Sequence, residues 1–397
     1  MTSDPLVNLS NCDHEPIQIP GSVQPHGCLL TCDASATILL RHSLNAPQLL
    51  GVEGAINGQK LDAVLGAELA HTLRNALARL REGSRPALRF AEVLPNGVAV
   101  DVTAHLYKGN ALLEFELAGQ SGAEPVELAR TLIAELREID KTNRLFRDAA
   151  RFVRAVLGYD RVMIYQLDSD GAGKVIAEAK RSILESFLGQ YFPASDIPAQ
   201  ARSLYLRNLI RVIPDVGFEP VAIEPVLDAS GEPLDLSYAH LRSVSPVHCE
   251  YLHNMGVGAS MSISVIVKGE LWGLIACHHY SPRTLNMGQR VAAEMFGEFF
   301  SLHIETLHSR QKLEAAVQVH ETLDVMLRDA NHAADMDMFF QGRLPRLMAL
   351  IPCDGIGLSL QGRWSSSGTV PPKTALPELL RFADGITEGR TWASHRL

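Results

Sequence analysis

The sequence predicts an α+β protein: two domains built on antiparallel sheets flanked by helices, followed by one long helix. Three observations carry that prediction. Short β-like runs surround a Leu- and Ala-rich helical stretch between about Ile19 and Gly119. A helical pattern followed by hairpin-forming strands recurs between about residues 125 and 305. An unbroken helical pattern then extends from about Gln289 to Ala330. The length, 397 residues, suits two or three domains, each large enough to bury its own core.

In the first domain, Cys28–Cys32, Thr37–Leu40, Ala87–Val93, Val98–Tyr107 and Ala111–Leu117 have the composition of strands, and Leu61 to Arg81 reads as helix. Together they fit a small antiparallel sensor domain. Ala118 to Ala123, rich in Gly and small polar residues, reads as a linker. Leu128, Leu132, Ile133, Leu136, Ile139, Leu145, Phe152 and Val156 then recur at helical spacing. They give a helix from about Pro125 to Leu157, with Gly158 as its C-cap. Strands follow at Arg161–Leu167 and Lys174–Ala179, then a long irregular region full of Pro, Asp and Gly. Ser260–Val267 and Leu271–His278 form a hairpin around Lys268-Gly269.

Met295, Phe299, Leu302, Leu313, Val317, Leu323 and Leu327 give the last helix an apolar side. A helix of that length suits a connector or a dimer seam, and two shorter helices joined at a kink fit the pattern equally well. Residues from about 335 to 397 contain helical and strand-like pieces and look like an incomplete domain.

Composition removes several classes of function. Hydrophobic residues make up 46% and charged residues 20%, too apolar for disorder. The net charge is −9 with no basic block, which argues against nucleic acid and against an anionic membrane surface. Six cysteines, at 12, 28, 32, 249, 277 and 353, form neither a C-x-x-C pair nor a zinc-type doublet. The start, Met1 to Pro5, has no signal-peptide pattern, and the apolar stretch Met261 to Cys277 is broken by Lys268, Glu270 and Gly273. The expected location is the cytoplasm, with reduced thiols. No P-loop, H-E-x-x-H, G-x-S-x-G or kinase glycine cluster is present.

Polar clusters in the second domain and one distant cysteine remain. In Phe192-Pro193-Ala194-Ser195-Asp196-Ile197-Pro198 the two prolines stiffen the backbone around one carboxylate, as a cationic ligand requires. Asp is also a common turn residue, and taken alone that reading is the better one. The run from Arg242 to Met255 brings Arg242, Ser245, His248 and Tyr251 up to a core strand. With Arg211 upstream, Arg242 can clamp carboxylates through its guanidinium fork; each Arg alone reads equally as a solvated surface residue. Alternation places Ser260, Ser262 and Ser264 on one strand face, which suits a lined pocket or a wet surface. His278 and His279 point to opposite faces, so at most one meets a given cavity. Cys12 stands in a polar, Pro-punctuated segment, and by itself reads as incidental.

Taken together these segments resemble the bacteriophytochromes, biliverdin-binding red/far-red photoreceptors. Cys12 opens a C-x-x-E-P-I-x-I-P-G-x-x-Q-P-H-G pattern that resembles the family's chromophore-attachment segment. Pro193 to Pro198 reads P-A-S-D-I-P, and Ser245 to Val257 and Leu271 to His279 resemble two further family motifs. The resemblance spans about residues 8 to 310 and is weaker beyond. It implies an N-terminal extension over 1–18 with the attachment cysteine, a PAS domain over 19–119, a bilin-binding GAF domain over 125–305, and a connector helix with an incomplete PHY domain over 306–397. It further implies a figure-of-eight knot, with the N-terminal segment threaded through a GAF loop within Asp215–Tyr238 and Val23 inside the lasso.

The resemblance also assigns roles. Cys12 forms a thioether with pyrrole ring A of biliverdin. The Asp196 carbonyl and His248 hold the pyrrole nitrogens, and the Asp196 carboxylate changes partners between photostates. Arg211, Arg242, Ser245, Ser260 and Ser262 bind the propionates. Met163, Tyr165, Phe192, Tyr205 and Tyr251 surround ring D, His278 bonds its carbonyl, and Ile197 also lines the bilin site. Light isomerises the double bond beside ring D, and strain passes into the long helix. A homodimer through the long helices is implied. Two features depart from the family: the Pro-Arg-x-Ser-Phe stretch of the PHY tongue is not found, and neither is the C-terminal output module, usually a histidine kinase. Cys249, beside His248, reads as a core thiol that could compete for the linkage. Two alternatives are a light-independent PAS–GAF dimerising module sensing a small metabolite, and a thiol enzyme using Cys12, for which no base stands at suitable spacing.

Overall fold

Strand composition, tight turns and two apolar helix faces build the first of two units, Met1–Leu307 and His308–Leu397. The computed structural model describes residues 15–119, 125–168, 171–331, 336–350, 353–360, 362–387 and 391. Cys12 lies outside the described residues.

The amino-terminal part contains β1 (Ser22–Val23), β2 (Gly27–Asp33), β3 (Leu39–Ser43), α1 (Ala46–Leu50), α2 (Leu61–Leu65), α3 (Ala67–Leu77), β4 (Ala87–Val93), β5 (Ala99–Tyr107) and β6 (Asn110–Leu117). The next part contains α4 (Pro125–Ala134), α5 (Thr142–Leu157), β7 (Arg161–Leu167), β8 (Gly173–Lys180), β9 (Tyr191–Phe192), α6 (Ala199–Tyr205), β10 (Ile210–Ile213) and β11 (Val221–Glu224). It closes with α7 (Pro246–Asn254), β12 (Ala259–Val267), β13 (Glu270–His279) and α8 (Met287–Ala330).

The fold is α+β, as expected, with antiparallel sheets and one long helix. The second domain's sheet has the order β10-β12-β13-β7-β8-β9. Its hairpin turns at Lys268 and Gly269, both with positive φ (55° and 80°), which matches the right-handed twist of the two strands. One face of this sheet packs Val162, Ile164, Met261, Ile263 and Ile275 against α5 and against Phe296, Phe300 and Ile304 of α8. The other face is left for the site. At Gly273 the strands approach so closely that a Cβ would lie 2.1 Å from the Tyr165 carbonyl oxygen. Gly273→Ala is therefore expected to cost about 3 kcal/mol. A fall in the thermal unfolding midpoint of several degrees would register it.

Two expected helices are broken. The 61–81 stretch divides at Gly66, whose φ of 82° stops α2 before α3 begins. The 125–157 stretch divides between α4 and α5, because a turn there sends both Leu136 and Ile139 into the core. The Ile139 carbonyl, which a continuous helix would satisfy internally, instead meets His303 Nε2 at 2.8 Å. The Gly158 C-cap forms as expected, with φ of 69°. By contrast, α8 is one uninterrupted helix of 44 residues.

The irregular region after β8 holds β9, α6, β10, β11 and α7. Of these, β11 does not join its own domain's sheet. It pairs with β3 and β1 in a seven-stranded sheet of order β1-β11-β3-β2-β6-β5-β4. On its other side the N-terminal segment bonds the 236–243 stretch: Leu236 N–H to the Gln18 carbonyl, Ser243 N–H to that of Ser22, and Gln24 N–H to that of Leu241. The N-terminal segment thus runs between two arms of one excursion of the second domain. Val23 is fully buried there, among Leu29, Leu112, Ile223, Leu236 and Leu241.

In the second unit, α9 (Met336–Gln341) and α10 (Leu344–Leu350) pack on a hairpin of β14 (Gly355–Leu360) and β15 (Arg363–Gly368), followed by α11 (Leu376–Thr387). Met326, Phe339, Leu344 and Leu376 are its buried apolar residues.

Candidate functional site

Strand alternation and register compose the free face of the second sheet in rows. Arg211, Ser262, Ala276, Met163 and Glu178 stand opposite one another across five strands. The next row is Ile213, Ser260, His278, Arg161 and Lys180. Polar groups thus stand at both ends of these rows, Arg211, Ser260, Ser262 and His278 over β10–β13 and Arg161, Glu178 and Lys180 over β7–β8. At the β7–β8 side an apolar cluster of Met163, Tyr165, Val175 and Leu274 is joined by Phe187, Phe192, Ile197 and Tyr205. Tyr165, Phe187 and Phe192 meet with ring centroids 6.0 and 6.3 Å apart.

The P-A-S-D-I-P segment folds as a single 3₁₀ turn, Ala194–Asp196, between Pro193 and Pro198, both extended. It aims Asp196 at α7, where the Tyr251 hydroxyl donates to Asp196 Oδ2 at 3.1 Å. Burial raises the Asp196 carboxyl above its ordinary range, and the Tyr251 bond opposes that rise. Such a group weakens the fold as pH climbs from the unfolded carboxyl value through its own. Tyr251→Phe removes the opposing bond, so that weakening is expected to extend to higher pH. Unfolding midpoints of both proteins across the acid range test this, and identical profiles would contradict it.

On the same helix, His248 lies nearly parallel to Tyr251, with centroids 6.2 Å apart. Burial, with the Arg211 charge, pushes His248 down to about 4. Burial, with the Arg161 and His248 charges, pushes His278 down to about 3. Both imidazoles are neutral at pH 7, each with one donor and one acceptor nitrogen. Burial pushes the Cys249 thiol up to about 11, so it is protonated and a poor nucleophile.

Arg211 Nη2 donates to the carbonyls of Arg242 and Ser243 at 2.6 and 3.0 Å, and Nη1 to that of His240 at 3.4 Å. Arg242 Nη1 donates to the Ile17 carbonyl at 2.7 Å. Burial lowers the two guanidinium groups to about 10 and about 9, still charged at neutral pH. No carboxylate pairs with either among the described residues, and Arg242 Nε and His278 Nδ1 have no hydrogen-bond partner there. Ser262 Oγ donates to the Tyr205 hydroxyl at 3.4 Å, and Ser264 Oγ to the Tyr205 carbonyl at 2.7 Å. Ser245 Oγ is taken by Glu15 Oε2 at 2.5 Å.

The expected residues thus fall into a polar side with Arg211, Ser260, Ser262 and His278, an apolar side with Met163, Tyr165, Phe192, Ile197 and Tyr205, and a helix bringing His248 and Tyr251 to Asp196. Arg242 and Ser245 hold the chain just after Cys12. Sequence reasoning missed Phe187, over whose ring Arg161 stacks at 3.9 Å while also pairing with Glu178. It also missed Gln24, whose side-chain amide donates to the carbonyls of Val212 and Arg242. Neither carries a local signal, since both act through residues distant in sequence.

One buried and one half-buried cation, without carboxylate partners among the described residues, beside neutral imidazoles and an aromatic wall fit a ligand that is anionic at one end and apolar at the other. Comparison with known proteins places the chain in a family. Residues 12–118 match the PAS fold family, 142–304 the GAF domain and 319–397 the phytochrome region. A bacteriophytochrome of Pseudomonas aeruginosa is 40% identical over 91% of this chain and 50% of its own length. One from Xanthomonas campestris is 38% identical over 94% and 60%, and cyanobacterial phytochrome B of Nostoc is 36% identical over 95% and 51%. The chain spans about half the length of most of these relatives. With the three regions in this order and matches of this extent, the chain belongs to the phytochrome family.

Proposed function

We propose that this chain is a red/far-red photosensory module that holds biliverdin covalently. The observation that carries the reading is the arginine pair, half-buried Arg211 and buried Arg242, without a carboxylate partner among the described residues, together with neutral His248 and His278. Biliverdin supplies two propionates, four pyrrole rings and a light-isomerisable double bond beside ring D. The chain's residues do the rest. Arg211 and Arg242, with Ser245, Ser260 and Ser262, take the propionates through charge-assisted bonds. The Asp196 carbonyl and His248 accept from pyrrole N–H groups, and His278 donates to the ring D carbonyl. Met163, Tyr165, Phe192, Ile197, Tyr205 and Tyr251 keep water from ring D. Cys12 supplies the thiolate for the thioether; Glu15, three residues on, is anchored on Ser245, within reach of a short extended segment.

The signal leaves through α8, where exposed Leu302, Leu313 and Leu327 favour pairing with a second copy. The chain itself is a sensor without enzymatic activity, acting in the cytoplasm on a C-terminal output module, typically a histidine kinase. Among the described residues no helix is long and apolar enough to cross a membrane. The test is to mix the purified chain with biliverdin, record spectra under red and far-red light, and look for zinc-induced fluorescence of the denatured band. A coloured, photoconverting, fluorescent product supports the proposal. Colourless protein would support the light-independent metabolite-sensing reading instead.

A further inference from the structure

The segment 240–243 is the hub on which both arginines depend, since its carbonyls hold Arg211 and its last residues but one include Arg242 itself. Three elements grip its main chain. Gln24 bonds the Leu241 carbonyl through its main chain and that of Arg242 through its side chain, and Arg211 reaches across from β10. The third grip comes from the first domain's sheet: the Leu241 N–H donates to Glu114 Oε1 at 2.6 Å. Glu114 is buried to 1% exposure in β6, and Oε2 has no hydrogen-bond partner among the described residues. A wholly buried carboxylate in the middle of a strand costs stability unless it does something for its surroundings. Its charge also reaches Arg211 and helps keep that guanidinium ionised.

We propose that Glu114 is a positioning residue for the arginine pair: its carboxylate fixes the main chain of segment 240–243 and thereby sets where Arg211 and Arg242 present their charge. The role rests on the reading of the pocket as a propionate-binding site. It places control of the second domain's anion contacts in the sheet of the first. Burial raises Glu114 to about 7, against the opposing effect of the Leu241 and His240 N–H groups. Facing it are Glu116 on its own strand, Arg290 of α8, which pairs with Glu116 at 2.6 Å, and Arg211. His240 on the segment and His105 on β5 are both neutral at pH 7, and His26 lies 3.6 Å from Glu116. Protonation of Glu114 therefore removes one negative charge from a neighbourhood that holds Arg211 and Arg290, and weakens the grip as pH falls through about 7.

The test compares wild type, Glu114→Leu and Glu114→Gln as whole chains. Without pigment, amide exchange of segment 240–243 is expected to quicken roughly tenfold in Glu114→Leu. With pigment, wild type is expected to take up biliverdin in preference to its dimethyl ester, and Glu114→Leu to lose roughly tenfold of that preference. A merely structural defect would slow both pigments alike. Glu114→Gln, whose amide oxygen still accepts from Leu241 but carries no charge, is expected to show at every pH the reduced preference that wild type reaches only below about pH 7. Unchanged exchange and preference in Glu114→Leu would overturn the proposal. If that variant does not fold, a pH response in Glu114→Gln equal to wild type would overturn it. Should wild type take up neither pigment, the photoreceptor reading fails, and the exchange measurement alone decides whether Glu114 holds the segment.

Discussion

Serine in place of Cys12 is expected to abolish the zinc-fluorescent band on a denaturing gel while leaving non-covalent colour in the native protein. A hydroxyl has almost no anionic fraction at neutral pH, so it cannot replace a thiolate as nucleophile. The arginine pair, the imidazoles and the aromatic wall are untouched by the change, so the pigment is still retained. Cys249→Ser is the matching control. Its thiol is held protonated by burial and packs with Ile213, Leu252 and Val257, so its loss is expected to leave the covalent yield unchanged. A fluorescent band that survived in Cys12→Ser and vanished in Cys249→Ser would reverse the assignment of the linkage.

Histidine in place of Asp196 is expected to block photoconversion, leaving less than about a tenth of the wild-type difference spectrum and stronger far-red emission. Asp196 is the one carboxylate presented by the proline-bracketed turn, and it accepts from Tyr251 across the gap between the turn and α7. A carboxylate can accept from several donors in turn and so exchange partners when the ring beside it moves; an imidazole has one acceptor nitrogen at most. Excited pigment that cannot settle its new contacts returns by emission. A difference spectrum of wild-type amplitude in the variant would refute the partner-exchange role.

Much of the fold was legible because it is written in local patterns. The strands β2 to β8, β12 and β13, the Lys268-Gly269 turn, the Gly158 cap and the helical character of the α8 region each follow from periodicity or from one residue's backbone preference, whereas that α8 runs without a kink does not. The breaks at Gly66 and between α4 and α5 were not legible: apolar spacing continues through both, and only the partners that wait in the core decide that the helix stops. The strand β11 was hidden for the same reason. Its four residues carry no strong strand signal, and they form a strand because an edge of the other domain's sheet is there to pair with.

The site divides along the same line. Residue types alone left Asp196, Arg211, Arg242, His248 and His278 open, and it was the resemblance of their segments to the family's motifs, in order, that marked them together with Tyr251. Whether the arginines had partners, which histidine faced the free side of the sheet, and what anchored segment 240–243 were decided only by the tertiary structure. Glu114 shows why. In Leu112 to Glu116 a carboxylate at alternate positions reads as the wet side of an edge, yet the lasso covers that face and buries it. Periodicity reports which side of a strand a residue occupies, while desolvation and charge compensation depend on what the rest of the chain lays over that side.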